Sequence, residues 1–133
     1  VCSSDLEVAS GGEMSRFLLA LKTALAAADA HVTLLFDEID TGVSGRVSGA
    51  MAELLRQLAA SRQVFCVTHQ PLVAAAAHHH FRVSKEVVKG TTHTRVSQLR
   101  DTAARQAELA ELAGGDSGEA HSYAASLLGQ RVA

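Results

Sequence analysis

Apolar residues recur along this chain at two spacings, and the change between them predicts alternating helices and strands. In residues 14–25 and 44–60 they return every three or four positions, which places them on one face of a helix. The runs 32–36 and 64–67 are short and wholly apolar, as expected of strands that are covered on both faces. A strand, a helix and a strand with short connections favour a right-handed parallel crossover. The side chains predicted to face the core are Met14, Phe17, Leu18, Leu21, Leu25, Val47, Met51, Leu54, Leu55 and Leu58.

The second half of the chain changes character. Residues 81–88 and 91–99 are rich in strand-forming residues and are separated by a Lys-Gly pair, which predicts an antiparallel hairpin. Helices are expected over 102–113 and 117–131, with Asp116 opening a capping box for the second. The predicted fold class is α/β, with parallel strands flanked by helices, a β-hairpin and C-terminal helices.

Length and composition are those of one globular domain. The chain has 133 residues, 47% hydrophobic and 20% charged, which is enough for a core. Its net charge of −2 gives no overall basic character of the kind that attracts nucleic acid. Cys2 and Cys66 offer no disulfide framework, which fits a reducing cytosol, and Cys66 is expected in the core. No apolar run approaches the ~20 residues of a membrane span.

The first six residues look foreign to the rest. The chain opens on Val1 rather than Met, and residues 1–6 match one translated frame of a common sequencing-adapter string. We therefore expect 1–6 to be a non-native leader and 7–133 to carry the biology. Native codons for the same six residues at the locus would contradict this hypothesis.

The most informative stretch is an apolar strand that ends in two adjacent acids, Asp37 and Glu38. In a phosphoryl-transfer site one acid can hold Mg²⁺, directly or through water, while the next orients and polarises the attacking water. For such a pair taken alone, a solvated strand end is the plain alternative.

The segment Ser10-Gly11-Gly12-Glu13 lies upstream of the acids. Ser10 and Glu13 have the spacing of a capping box, so a capped helix start is part of the interpretation. Two glycines in a first turn cost about 1 kcal/mol each relative to Ala, which a purely structural cap does not explain. Glycines there let a phosphate approach backbone N–H groups at the positive end of the helix dipole.

Thr68 and His69 lie downstream, directly after the second apolar strand. An imidazole there can donate a hydrogen bond to a γ-phosphate oxygen, although a merely polar residue after a strand is the alternative. The loop 40–45 is either a flexible connection with Ser44 as a helix cap or, since it follows the acids directly, a sensor of a neighbouring active site.

Three consecutive histidines, His78, His79 and His80, invite a metal interpretation together with His93. Consecutive side chains point in different directions and cannot all converge on one ion. A solvated strand entrance is the favoured interpretation.

The ordered set of Ser-Gly-Gly-Glu, apolar-Asp-Glu and Thr-His resembles the C-terminal lobe of an ABC-type ATPase head. Within that superfamily, the longer stretches resemble the RecN family of bacterial SMC-like DNA repair proteins. The resemblance covers nearly everything from Val8 onward and departs at Gln70-Pro71-Leu72, where Leu-Pro-Gln is expected, and at the three histidines. The stretches that carry it are 36–46, 67–74, 81–86 and 108–115.

The resemblance implies a nucleotide held between two heads, with ATP and Mg²⁺ as cofactors. Asp37 would support Mg²⁺, and Glu38 would be the general base or position the attacking water. His69 would contact the γ-phosphate, and Asp40 would lie in the loop that crosses the dimer interface.

The resemblance also implies partners. The segment 10–13, which we call the signature segment, would reach the γ-phosphate bound to the opposite head. ATP would then close a homodimer, and hydrolysis would release it. In the family this cycle serves the repair of DNA double-strand breaks at the nucleoid, in the bacterial cytoplasm and without a membrane partner. The signature residues are Ser10, Gly11, Gly12 and Glu13.

The chain contains no G-x-x-x-x-G-K-[ST] motif and no heptad segment. Residues 7–133 are therefore expected to be the C-terminal half of such a head, without the Walker A half or the coiled coil, and to be inactive alone. Two alternatives stay open: the head of another superfamily member, either an SMC-type chromosome protein or a transporter subunit, and a non-catalytic interaction module. A transporter would usually carry Leu-Ser-Gly-Gly-Gln, and the intact acids argue against a module without chemistry.

Overall fold

The computed structural model describes residues 19, 20, 23, 33–43, 45–115 and 117–130. The signature segment 10–13 lies outside them, as does most of the predicted helix 14–25, of which Leu19, Ala20 and Thr23 are helical. The chain divides into two compact units, Val1–Val73 and Ala74–Ala133. The elements are β1 (Leu34–Asp37), α1 (Gly45–Ala59), β2 (Val64–Val67), α2 (Pro71–Ala76), β3 (His80–Val88), β4 (Thr91–Leu99), α3 (Thr102–Leu112) and α4 (Gly118–Gly129).

The first unit is built on a parallel pair of strands. β1 pairs with β2 in the register Leu34 to Val64 through Asp37 to Val67, and α1 connects them, which confirms the predicted strand–helix–strand arrangement. The apolar stripe of α1 faces inward as expected from its 3–4 spacing. The buried cluster consists of Leu19, Phe36, Ile39, Met51, Leu55, Leu58 and Val73.

The prediction that both strands are covered on both faces is wrong for the structure as described. Phe36 is 2% exposed in the core, whereas Leu35 is 63%, Phe65 48% and Val67 54% exposed. Successive side chains of a strand point to opposite faces, and the buried cluster covers one face only. The unbroken apolar pattern therefore predicted a layer packed against the second face of the two strands, and the described residues do not supply that layer.

The second unit begins with a long hairpin. β3 and β4 pair antiparallel over nine positions, from His80 with Leu99 to Val88 with Thr91, as predicted. Lys89 and Gly90 have φ of 51° and 79°, the left-handed pair that a two-residue hairpin turn requires. Two helices follow the hairpin and pack against each other through small and aliphatic side chains: Leu109, Ala110, Ala120, Ala124 and Leu127.

The helix ends differ from the sequence prediction in one place. α4 has Ser117 as its N-cap, whose hydroxyl accepts a hydrogen bond from the N–H of Ala120 at 3.1 Å, and Asp116 of the predicted capping box lies outside the described residues. Asp and Ser are nearly equally favourable N-cap residues, so residue type alone does not decide which of two adjacent positions is the N-cap. Because α4 begins at Gly118, the N-cap is Ser117. The short α2 was not predicted, and no helix among the described residues is long and apolar enough to cross a membrane.

Candidate functional site

The two acids lie at the carboxyl end of β1. Asp37 is its last residue and pairs with Val67, the last residue of β2. The N–H of Glu38 extends the ladder by donating to the carbonyl of Val67 at 3.3 Å. Both acids are exposed. Parallel pairing therefore places them at the edge where the chain leaves β2 toward His69.

Glu38 adopts a backbone conformation that non-glycine residues rarely use, with φ of 49°. Such a residue costs on the order of 1 kcal/mol and persists when the surroundings hold it. Here Thr41 supplies the restraint, because its N–H and its hydroxyl both donate to the carbonyl of Glu38, at 3.4 and 3.1 Å. The turn directs the chain away from the strand and leaves the Glu38 carboxylate in solvent.

Asp40 is the most enclosed polar group of the site, with none of its surface exposed. Its Oδ2 accepts hydrogen bonds from the hydroxyl of Thr68 and from the N–H groups of His69 and Gln70, each of the latter at 3.2 Å. The hydroxyl of Thr68 in turn accepts from the N–H of Gln70 at 3.0 Å. One carboxylate thus fixes the turn after β2 from a loop 28 to 30 residues earlier.

His69 combines a fixed backbone with an open side chain. Its imidazole is 63% exposed, and its Nδ1 lies 3.6 Å from Oδ1 of Asp40. Among the described residues, that buried oxygen has no hydrogen-bond partner. Asp40 lies on the Nδ1 side of the ring, and the exposed imidazole is open to a ligand from solvent.

The structure thus brings Glu38, Asp40 and His69 to one edge of the sheet. The sequence pattern gave no role to Thr68 beyond its motif, and it did not indicate that Asp40 is buried. Two sequence features could have indicated this contact. Thr68 directly follows a strand, and Asp40 directly follows Ile39, which is buried. The predicted contacts of Ser10, Gly11, Gly12 and Glu13 lie outside the described residues.

The two exposed carboxylates at the end of β1 suit a magnesium ion. Carboxylate oxygens are the ligands that Mg²⁺ takes from proteins, usually one or two of them with several waters retained. Asp37 is exposed at the strand end and fits that description. In the described part of the chain, no group of three or more His, Cys, Asp or Glu residues is arranged to hold an ion. Burial, with Arg105 nearby, lowers the pKa of His80.

Gly42 gives the loop after the acids its shape, since its φ of 70° is one that L side chains rarely adopt. We expect Gly42→Ala to destabilise the fold by about 1 kcal/mol. Gly49, inside α1 with nothing within 4 Å of an added Cβ, is the matched control, and Gly49→Ala should stabilise by about 0.5–1 kcal/mol. Urea unfolding of both variants measures the difference. Equal shifts of the same sign would contradict the assigned turn.

The sequence predicts Cys66 in the core, but the residue is half-buried beside the core and does not lie fully within it. It packs against the buried cluster, and burial, with the charges of Asp40 and Asp37, raises the pKa of its thiol from 9.0 to about 12. We expect alkylation of Cys66 at pH 9, in a Cys2→Ser background, to be at least ~100-fold slower in the folded than in the unfolded chain. Because the folded state holds this proton more tightly, the thiol lowers stability as the pH rises from 9.0 toward 12. Equal alkylation rates would contradict the burial.

The comparisons with known proteins point in one direction. No protein-family model matches the chain. It is 48% identical to the DNA repair protein RecN of Synechocystis over 94% of its length, and 45% identical to that of Xylella fastidiosa over 92%. The RecN of Bacillus subtilis is 44% identical over 80% of the chain. The chain spans 24%, 22% and 18% of these three relatives.

A solved structure supports the same fold. It comes from work on ATP-driven dimerization and DNA-stimulated activation of SMC ATPases, and it covers 71% of this chain with a TM-score of 0.57 and 26% identity. The match covers 56% of that structure. The α/β arrangement described above is therefore that of an SMC-type ATPase head, and the chain belongs to the RecN family, of whose members it spans about a quarter.

Proposed function

We propose that this chain is the part of an SMC-like ATPase head that supplies the hydrolytic residues, in a protein that repairs DNA double-strand breaks. One observation carries the proposal. β1 and β2 end at the same edge, so that Glu38 and the Asp40–His69 pair stand together there, on a chain of the RecN family. The relatives carry a DNA repair name, and the SMC ATPases of the solved structure are described as driven by ATP and activated by DNA.

The residues take distinct roles in the proposed reaction. Asp37 would hold a magnesium ion, directly or through water. Glu38 orients the attacking water and accepts its proton, and the exposed imidazole of His69 donates to a γ-phosphate oxygen. When bound, Mg²⁺ supplies charge neutralisation on the β- and γ-phosphates. Asp40 touches no substrate in this scheme and positions His69 through the turn that it fixes.

The nucleotide would lie between two copies of the head. Ser10, Gly11, Gly12 and Glu13 would face the γ-phosphate on the opposite copy, so only the triphosphate satisfies both halves. ATP binding then closes the dimer, and hydrolysis opens it. DNA is engaged by the full-length protein.

The chain by itself is proposed to be inactive, because its 133 residues include no phosphate-cradling G-x-x-x-x-G-K-[ST] loop. The purified chain should neither bind ATP tightly nor release phosphate. Phosphate release that Glu38→Gln abolishes would defeat this part of the proposal.

The biological role is tested with a hybrid protein. In the Synechocystis relative, residues 7–133 of this chain replace the matching quarter, which differs at about half of its positions. Cells that carry only the hybrid should survive double-strand breaks as well as cells with the intact relative. Cells that make the folded hybrid but survive no better than cells lacking the relative would overturn the proposed role.

A further inference from the structure

The hairpin of β3 and β4 concentrates positive charge in a chain whose net charge is negative. Residues 80–99, which we call the hairpin arm, include four of the chain's twelve Lys and Arg residues but one of its fourteen Asp and Glu residues. The arm therefore carries a formal net charge of +3, and the rest of the chain, with eight basic and thirteen acidic residues, carries −5. A local cationic surface of this kind attracts an anionic partner that the overall charge of −2 does not indicate.

The hairpin arm is a ribbon that is open to solvent on both faces. Every residue from Phe81 to Gln98 is exposed except Ser84, which is half-buried. Nine paired positions at about 3.3 Å each make the ribbon about 30 Å long. The major groove of B-DNA, about 12 Å wide, admits a two-stranded ribbon of this shape.

The cations of the hairpin arm lie on both faces and at the tip. Lys85 lies on one face, and Arg82 and Arg95 share the other, because directly paired residues of an antiparallel ladder are on the same side. Lys89 is the first residue of the turn. A DNA groove has a phosphate backbone along each wall, so cations on both faces of a ribbon can each meet phosphates. A flat anionic surface would meet one face only.

Ion pairs within the protein leave this charge available. Among the described residues, Lys85 and Lys89 form no ion pair. Arg95 pairs with Glu86 at 3.6 Å, and both side chains are exposed, so the pair is of the kind that contributes little and that a phosphate can replace.

The exposed apolar side chains of the hairpin arm do not form a continuous surface for protein packing. Along β3, Lys85 separates Val83 from Val87, and it lies opposite Thr94. A protein layer over this face would take the ammonium group out of water, which costs free energy unless an acid pairs with it. In a groove, the ammonium group meets phosphate, the threonine hydroxyl can donate to phosphate, and the valine methyls can contact thymine methyls.

We propose that the hairpin arm binds duplex DNA by entering a groove and contacting the phosphates on both of its walls. The choice of DNA as the polyanion rests on the proposed function in DNA repair, whereas the cationic ribbon is a property of the arm alone. The negative charge elsewhere in the chain does not prevent this contact, because charge effects between exposed groups are largely screened beyond about 10 Å at 0.1 M salt.

A salt titration tests the contact without nucleotide. Fluorescence anisotropy of a labelled duplex of roughly 20 base pairs gives the affinity of the 133-residue chain at several salt concentrations. Lys85→Gln/Lys89→Gln should weaken binding at least roughly tenfold at about 50 mM salt and lower the slope of log K against log salt by about 2, since each lost phosphate contact removes about 0.9. The matched control, Arg46→Gln/Arg56→Gln, removes the same charge from exposed positions of α1 and should stay within about threefold.

Three results of the titration would overturn the proposal. They are equal losses in the two double variants, no salt-dependent binding by the folded chain, and tighter binding to vesicles of anionic phospholipid than to the duplex.

Cross-linking locates the contact in the hybrid protein, again without ATP. A photoreactive azidophenylalanine at Thr92, an exposed residue of β4, should cross-link to duplex DNA, and one at Tyr123, the exposed aromatic of α4, should not. A cross-link from Thr92 to protein alone would overturn the proposal, because it would show that the arm is covered by another part of the polypeptide. A hybrid that cross-links to DNA but releases no phosphate would contradict the proposed function and support the DNA contact, so the two failures are distinguishable.

Discussion

Glu38→Gln in the hybrid should lower the rate constant of ATP hydrolysis roughly 10²-fold or more, because the general base is lost while the shape of the side chain is kept. Glu38 is exposed at the strand end, and its unusual φ is imposed by backbone bonds that the substitution does not touch. ATP affinity should stay within about threefold of the unsubstituted hybrid, since the interaction removed is one made in the transition state. Phosphate release and equilibrium binding of a fluorescent ATP analogue measure the two quantities.

The control for this prediction is Glu111→Gln, an exposed glutamate of α3, which should change neither quantity. Turnover that survives Glu38→Gln would remove Glu38 from the role of base. A loss of ATP binding equal to the loss of turnover would instead make Glu38 a binding residue.

Asp40→Ala should destabilise the chain by about 3 kcal/mol, because it removes the acceptor of the Thr68 hydroxyl and of the His69 N–H, and one of the two acceptors of the Gln70 N–H. The carboxylate has no exposed surface, so water cannot replace it without opening the loop. Urea unfolding of the purified chain gives the change in free energy. In the hybrid, the same substitution should also lower turnover, since it releases the turn that holds His69.

Asp101→Ala is the matched control for the buried carboxylate. Asp101 also accepts a backbone hydrogen bond, from the N–H of Ala104 at 2.7 Å, but it caps α3 at an exposed position and should cost about 1 kcal/mol. Asp40→Asn separates charge from shape, because its amide oxygen can still accept from the turn. If Asp40→Ala cost no more than Asp101→Ala, the carboxylate would not be organising the turn.

The elements of this fold were largely predictable because each has a local period. The 3–4 spacing in α1 predicts a helix, and the short apolar runs of β1 and β2 predict strands. The Lys89-Gly90 pair specifies a tight hairpin turn. The exposure of one face of β1 and β2 was not predictable. A pattern records that Leu35 and Phe65 are apolar, but whether they are covered depends on chain that packs there, and none of the described residues does so.

The candidate site was also predictable only in part. The sequence proposes Asp37, Glu38 and His69 as site residues from residue type and order alone. The buried state of Asp40 depends on hydrogen bonds to a segment 28 residues away, which no local pattern encodes. The left-handed φ of Glu38 follows from Thr41 closing the turn behind it, again a contact rather than a propensity.

The central claim is that this chain supplies the hydrolytic half of an ATP site whose other half lies elsewhere in the protein. Steady-state phosphate release by the hybrid, beside the purified chain alone, tests it most directly. The hybrid should release phosphate at a rate comparable to that of the intact Synechocystis relative, and the chain alone should release none above buffer. A folded hybrid that binds ATP without hydrolysing it, or hydrolysis by the chain alone that depends on Glu38, would contradict the claim.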